Sequence, residues 1–100
     1  MTNAEIVRIY KKLAEEKRQG KTINPTRIKK GDIIVMRKYG WLCRVEKKTR
    51  MIYYLEKLGN IFGLNYHFWK KDWSSRELSA EYSSVFRNGE YLGDINVKYW

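Results

Sequence analysis

Apolar positions in the first twenty residues recur at helical spacing. Ile6, Ile9, Tyr10 and Leu13 fall on one stripe, with Val7 and Ala14 at its margins. Thr2-Asn3-Ala4-Glu5, just ahead of them, has the form of a capping box: the Thr2 hydroxyl accepts from the Glu5 amide and the Glu5 carboxylate reaches back. Lys17 and Arg18 suit the negative end of a helix dipole, and Gly20 suits a left-handed stop. The pattern predicts an amphipathic helix over residues 3–19, with Arg8, Lys11, Lys12, Glu15 and Glu16 facing outward. Residues 21–31 read as a basic linker that turns at Asn24-Pro25.

Beyond Gly31 the period falls to two. Ile33–Met36 is a short apolar run, Lys38-Tyr39-Gly40 a turn, and Trp41, Cys43 and Val45 alternate with Leu42, Arg44 and Glu46. Lys47–Arg50 is a basic turn, and Met51–Leu55 is rich in strand formers. Gly59-Asn60 predicts a hairpin towards Ile61-Phe62, Tyr66–Trp69 a further strand, and Lys70-Lys71-Asp72 its break. Ser74-Ser75-Arg76-Glu77 repeats the capping box and opens a helical insertion near 75–82. Asn88-Gly89 between Val85–Arg87 and Glu90–Leu92 is the strongest hairpin signal, Gly93-Asp94 predicts another turn, and Ile95, Val97 and Tyr99 a last strand. The fold class expected is α+β, mainly β. One domain over 1–100 would hold an N-terminal helix within residues 1–20 and, over 32–100, a small, strongly bent antiparallel sheet or src-homology-3-like barrel.

Charge adds position to this outline. Residues 1–50 carry 15 Lys+Arg against 5 Asp+Glu and hold the whole net charge of +10, while residues 51–100 carry 6 of each. Aromatics are skewed the other way, 3 against 12. A basic half facing a polyanion points to nucleic acid, RNA or DNA, although positive charge also serves solubility alone. The lone Cys43 excludes an internal disulfide, and Cys43 with His67 is too small a set for a structural zinc site, so no metal or cofactor is expected. No apolar run reaches the ~20 residues of a membrane span, and the N-terminus lacks a secretory pattern, so the expected setting is cytoplasmic with no membrane partner.

Lys29-Lys30-Gly31-Asp32-Ile33-Ile34-Val35, followed by Gly40-Trp41-Leu42-Cys43-Arg44-Val45, resembles a KOW/Tudor-type small barrel over residues 28–58. The second glycine of a fuller KOW pattern is not evident after Tyr39. The Lys-Gly-Asp-Ile opening is also similar to that of mRNA interferase toxins, which implies a small RNase. Their downstream Gly/Arg-Pro signature is missing here, the one proline being Pro25, and no catalytic residue is carried over from either family.

Catalytic chemistry has little to work with: a Cys43–His67 dyad needs the fold to unite them, and no glycine-rich phosphate loop is present. The chain therefore reads as non-enzymatic. Its candidate nucleic-acid-binding residues are Arg27, Lys29, Lys30, Arg37, Lys38, Arg44, Lys47, Lys48 and Arg50, all within 24 positions, joined by Lys70 and Lys71. Tyr39 and Trp73, at turn-like positions beside cations, are the aromatics expected to be exposed for base stacking. Trp41 and Trp69 fit a barrel core as well as a stacking surface. The alternative is a phage or mobile-element accessory protein that inhibits a host protein through its Tyr- and Trp-rich second half.

Overall fold

The computed structural model describes residues 1–16, 20–63 and 67–96. In chain order these form α1 (Asn3–Glu16), β1 (Thr22–Ile23), a 3-10 turn (Pro25–Arg27), β2 (Ile33–Met36), β3 (Trp41–Lys48), β4 (Ile52–Asn60), β5 (Lys70–Ser74), α2 (Ser75–Ala80), β6 (Ser83–Arg87) and β7 (Glu90–Ile95). The fold is α+β, mainly β. All seven strands belong to one open sheet ordered β1-β7-β6-β2-β3-β4-β5. Every neighbouring pair is antiparallel except β1 and β7, which run parallel, so the sheet is mixed and not wholly antiparallel. Register shifts within β3–β4 and β6–β7 add local twist and bend the sheet.

Both faces of the sheet are covered. On one, α1 lays Tyr10 and Ala14, flanked by Ile6, Val7 and Leu13, against Ile33, Val35, Leu42, Leu58, Ile61 and Phe86. The helix thus covers a face, and its buried stripe is turned slightly from the expected one: Ile9 points outward and Ala14 takes its place. The other face buries Ile34, Met36, Cys43, Val45, Tyr53, Leu55, Trp73 and Val85 beneath Ile28 and the α2 residue Leu78. This is why Ile33–Met36 is continuously apolar: the two faces of β2 are both interior, so alternation disappears.

The local signals with a hydrogen-bond mechanism reappear as geometry. Glu5 N donates to Thr2 Oγ1 at 3.2 Å, and Ser74 N and Glu77 N exchange bonds with the Glu77 and Ser74 side chains at 2.9 and 3.1 Å. Asn88 and Gly89 have φ of 51° and 78°, the left-handed pair that the β6–β7 hairpin requires. α1 is described to Glu16, and the expected continuation over 17–19 lies outside the described residues.

Elsewhere pairing overrides local preference. Gly59-Asn60 is not a turn: both stay in β4 opposite Leu42 and Trp41, and the chain turns at Ile61–Gly63. His67–Trp69 is irregular, and the strand comprises Lys70–Ser74, the stretch expected to break it, because β4 supplies a partner for Lys70, Lys71 and Asp72. Tyr66 lies outside the described residues. Gly93-Asp94 continues β7, where Gly93 has φ 137° and a Cβ would come within 2.8 Å of the Thr22 carbonyl carbon. That glycine lets β1 close against β7, and so the "linker" contributes an edge strand. The last strand expected ends at Ile95, with residues 97–100 outside the described set. No helix among the described residues is long and apolar enough to cross a membrane.

Candidate nucleic-acid interface

The basic segments meet at one end of the sheet, where β2 begins and β3 ends. Two polar hubs hold them there. Asp32, 1% exposed, accepts from the Lys29 amide at 2.8 Å and from Arg87 Nε and Nη2 at 2.7 and 2.8 Å. Arg87 Nη2 also donates to the Arg27 carbonyl at 3.0 Å. The second hub is Lys48, whose ammonium donates to the carbonyls of Pro25, Thr26 and Ile28. Tyr53 Oη adds a bond to the Pro25 carbonyl at 2.7 Å. Three carbonyls of the 3-10 turn and its C-cap are thus gathered by one cation, and this fastens residues 25–28 over the end of the sheet.

Around these hubs stand Arg27, Lys29, Lys30, Lys47 and Arg50, all exposed. None of the five forms an ion pair among the described residues. Lys47 lies over the Tyr54 ring at 5.8 Å, in a shallow depression that also takes in Asp72. Lys48 differs from its neighbour in kind. Lys48→Met is expected to cost about 1.5–3 kcal/mol through its lost charged bonds, while Lys47→Met stays within about 0.5 kcal/mol; urea unfolding of the two variants checks this.

Other members of the sequence cluster are drawn into the structure. Arg37 donates to Ser84 Oγ at 2.6 Å and to the Ala14 carbonyl at 2.7 Å, tying α1 to the sheet. Arg44, on the same face of β3 as Leu42, pairs with Glu56 at 3.1 Å and Glu46 at 3.5 Å, and Lys70 pairs with the other Glu56 oxygen at 3.1 Å. Lys70's hydrogen bond, then its charge and that of Arg44, hold the Glu56 carboxyl below its ordinary 4.5. A carboxyl that titrates lower in the folded than in the unfolded chain adds stability above the unfolded value, and this is lost as pH falls through the folded one. Glu56→Gln is therefore expected to melt slightly earlier than the parent at about pH 7, with the gap closing as pH falls through the folded value, as thermal melts over a descending pH series check.

The opposite end of the sheet, where β2 turns into β3, is aromatic. Tyr39, 48% exposed, sits 5.1 Å from Trp41 between ring centroids; Trp41 lies 5.7 Å from Trp69 and 6.0 Å from Trp73, and Trp69 lies 5.6 Å from Trp73. Lys38 stands over Tyr39 at 5.4 Å, and Lys71 over Trp73 at 4.3 Å and Trp69 at 5.7 Å. Trp73 is 4% exposed, against the expectation of a surface ring, because it lies in β5 facing the core. Trp41 and Trp69 are the half-buried members that reach the surface. Trp41 lies on the Cys43 face, as alternation placed it, and opens β3 beside the exposed Tyr39.

The nucleophile candidates separate. Cys43 is fully buried, and burial pushes its thiol up, away from a reactive thiolate. His67 is exposed, with φ 62°. Among the described residues no cluster of three or more His, Cys, Asp or Glu could hold a metal ion. Comparison with protein-family models, curated proteins and solved structures finds no match.

Proposed function

We propose that this chain is a small, non-enzymatic nucleic-acid-binding protein whose basic end meets the phosphate backbone. The observation that carries the reading is the set of five exposed cations, Arg27, Lys29, Lys30, Lys47 and Arg50, gathered without acidic partners among the described residues on a scaffold fastened by Lys48 and the Asp32–Arg87 pair. Such groups lose little on approaching phosphate, because no intramolecular ion pair has to be broken first. Contacts of this kind give salt-dependent and largely sequence-neutral affinity. The KOW/Tudor-type likeness over residues 28–58 belongs to the same reading, supported by the β2–β3–β4 meander that Gly31-Asp32 opens and Gly40 turns.

Fluorescence anisotropy with a labelled oligonucleotide across a salt series tests this. Five phosphate contacts on a single strand give a slope of log K against log salt of about −3.5. A flat salt dependence, or no binding at ~50 mM salt, refutes it. The rival reading, a protein inhibiting a host factor, draws on Phe62 and Phe68, which are 64% and 60% exposed. It expects a protein that still co-purifies after nuclease treatment.

A further inference from the structure

We infer that the preferred ligand is single-stranded, its unpaired bases stacking on the aromatic end formed by Tyr39, Trp41 and Trp69. This rests on the nucleic-acid reading above and adds the ligand's strandedness and a second contact surface. The three rings form an unbroken series with centroid steps of 5.1 and 5.7 Å. Their planes differ by 35° for Tyr39 and Trp41 and by 86° for Trp41 and Trp69, so successive rings offer surfaces in different directions instead of burying one another face to face. Trp73, buried in the core, backs Trp41 and Trp69 before any ligand arrives.

Charge at this end also fits a polyanion. Lys38 flanks the outer ring and Lys71 the inner pair, and both are exposed. Neither has an acidic partner among the described residues. Lys38 lies over one face of the Tyr39 ring and Lys71 over the Trp69 and Trp73 rings; a base that stacks in place of either flexible ammonium leaves that cation beside its own phosphate. The basic and aromatic ends adjoin at a cross-strand pair: Trp73 lies opposite Tyr53, whose ring is under Lys48 at 5.6 Å. Duplex bases are already stacked inside the helix and cannot reach such rings, so a duplex would use the cations alone. A single strand uses both ends.

The experiment compares a single strand of about 20 nucleotides with a duplex of equal length, both dye-labelled, by anisotropy at fixed salt. The single strand is expected to bind more tightly. Tyr39→Ala should weaken it about 5- to 100-fold, the loss of one base stack, while leaving duplex affinity and the salt slope unchanged. Tyr39→Phe should restore most of it. Tyr39 lies in an exposed turn, and Trp69→Phe gives a second variant that keeps an aromatic ring in the inner cluster and is expected to weaken the single strand less than Tyr39→Ala. Equal or tighter duplex binding, or Tyr39→Ala without effect on the single strand, overturns the inference and leaves the basic-end reading intact. Absence of binding to either ligand at low salt overturns both.

Discussion

Arg87→Met is expected to destabilise the protein by about 3–5 kcal/mol, more than Asp32→Asn does. The asymmetry follows from burial. Asp32 is almost wholly enclosed, whereas the Arg87 side chain is 33% exposed. Removing the guanidinium strands a carboxylate whose other side-chain partner is the Lys29 amide. Removing the carboxylate's charge leaves a guanidinium that can turn to water and still reach the Arg27 carbonyl. Asp32→Asn should cost about 1–3 kcal/mol, the range for a disrupted hydrogen-bonded network. The pair also joins chain segments 55 residues apart, so its loss frees the start of β2 from the end of β6. Urea unfolding of both variants gives the comparison. For a domain of this size 1 kcal/mol moves Tm by roughly 4–8 °C, so Arg87→Met should melt well over ten degrees early. Equal costs would mean that the carboxylate finds water or another partner once Arg87 is gone.

Neutralising Lys29, Lys47 and Arg50 together is expected to weaken single-strand binding about 100-fold at ~100 mM salt and to reduce the salt slope by about 2. Three phosphate contacts account for both numbers, since each carries about 0.7 of a released counterion on a single strand. Between ~50 and ~200 mM salt the triple variant should lose about 20-fold less affinity than the parent. Lys48 is left out by design: its ammonium holds the 3-10 turn, and a variant that includes it would mix loss of fold with loss of charge. The three chosen side chains are exposed and make no ion pair among the described residues, so melting should move by no more than about 0.5 kcal/mol per site. Unchanged affinity with unchanged melting removes this surface from the functional account.

The two capping boxes, the α1 stripe and the Asn88-Gly89 hairpin were legible because their causes are local. A side-chain oxygen within three residues of an amide, or a pair of residues tolerant of positive φ, acts before distant parts of the chain assemble. The misread segments share the opposite property. Gly59-Asn60 and Lys70–Asp72 carry turn-like or breaking residues, yet hydrogen bonding to β3 and β4 keeps them extended. Gly93 looks like a turn and instead admits the backbone of β1, a partner 71 positions away along the chain.

The candidate site divides along the same line. The sequence alone determined that the charge lies in the first half, that most aromatics lie in the second, and that a turn ahead of β3 carries Lys38. Those are properties of composition and of strand length. Lys47 and Lys48, expected in the following turn, stay in β3 opposite Tyr54 and Tyr53. Which cations remain available was decided only by tertiary structure. Arg37 and Lys48 found carbonyl acceptors on distant segments, Arg44 and Lys70 found Glu56, and Lys29, Lys47 and Arg50 found no acid among the described residues. The same holds for the rings: Trp73 is buried and Trp41 half-exposed although both sit on core-facing strand positions, because Trp73 lies within the packed core cluster while Trp41 opens β3 beside the exposed Tyr39. A charge or a ring is fixed by the chain, but its free energy of contact depends on its neighbours, and for these residues the neighbours come from other strands.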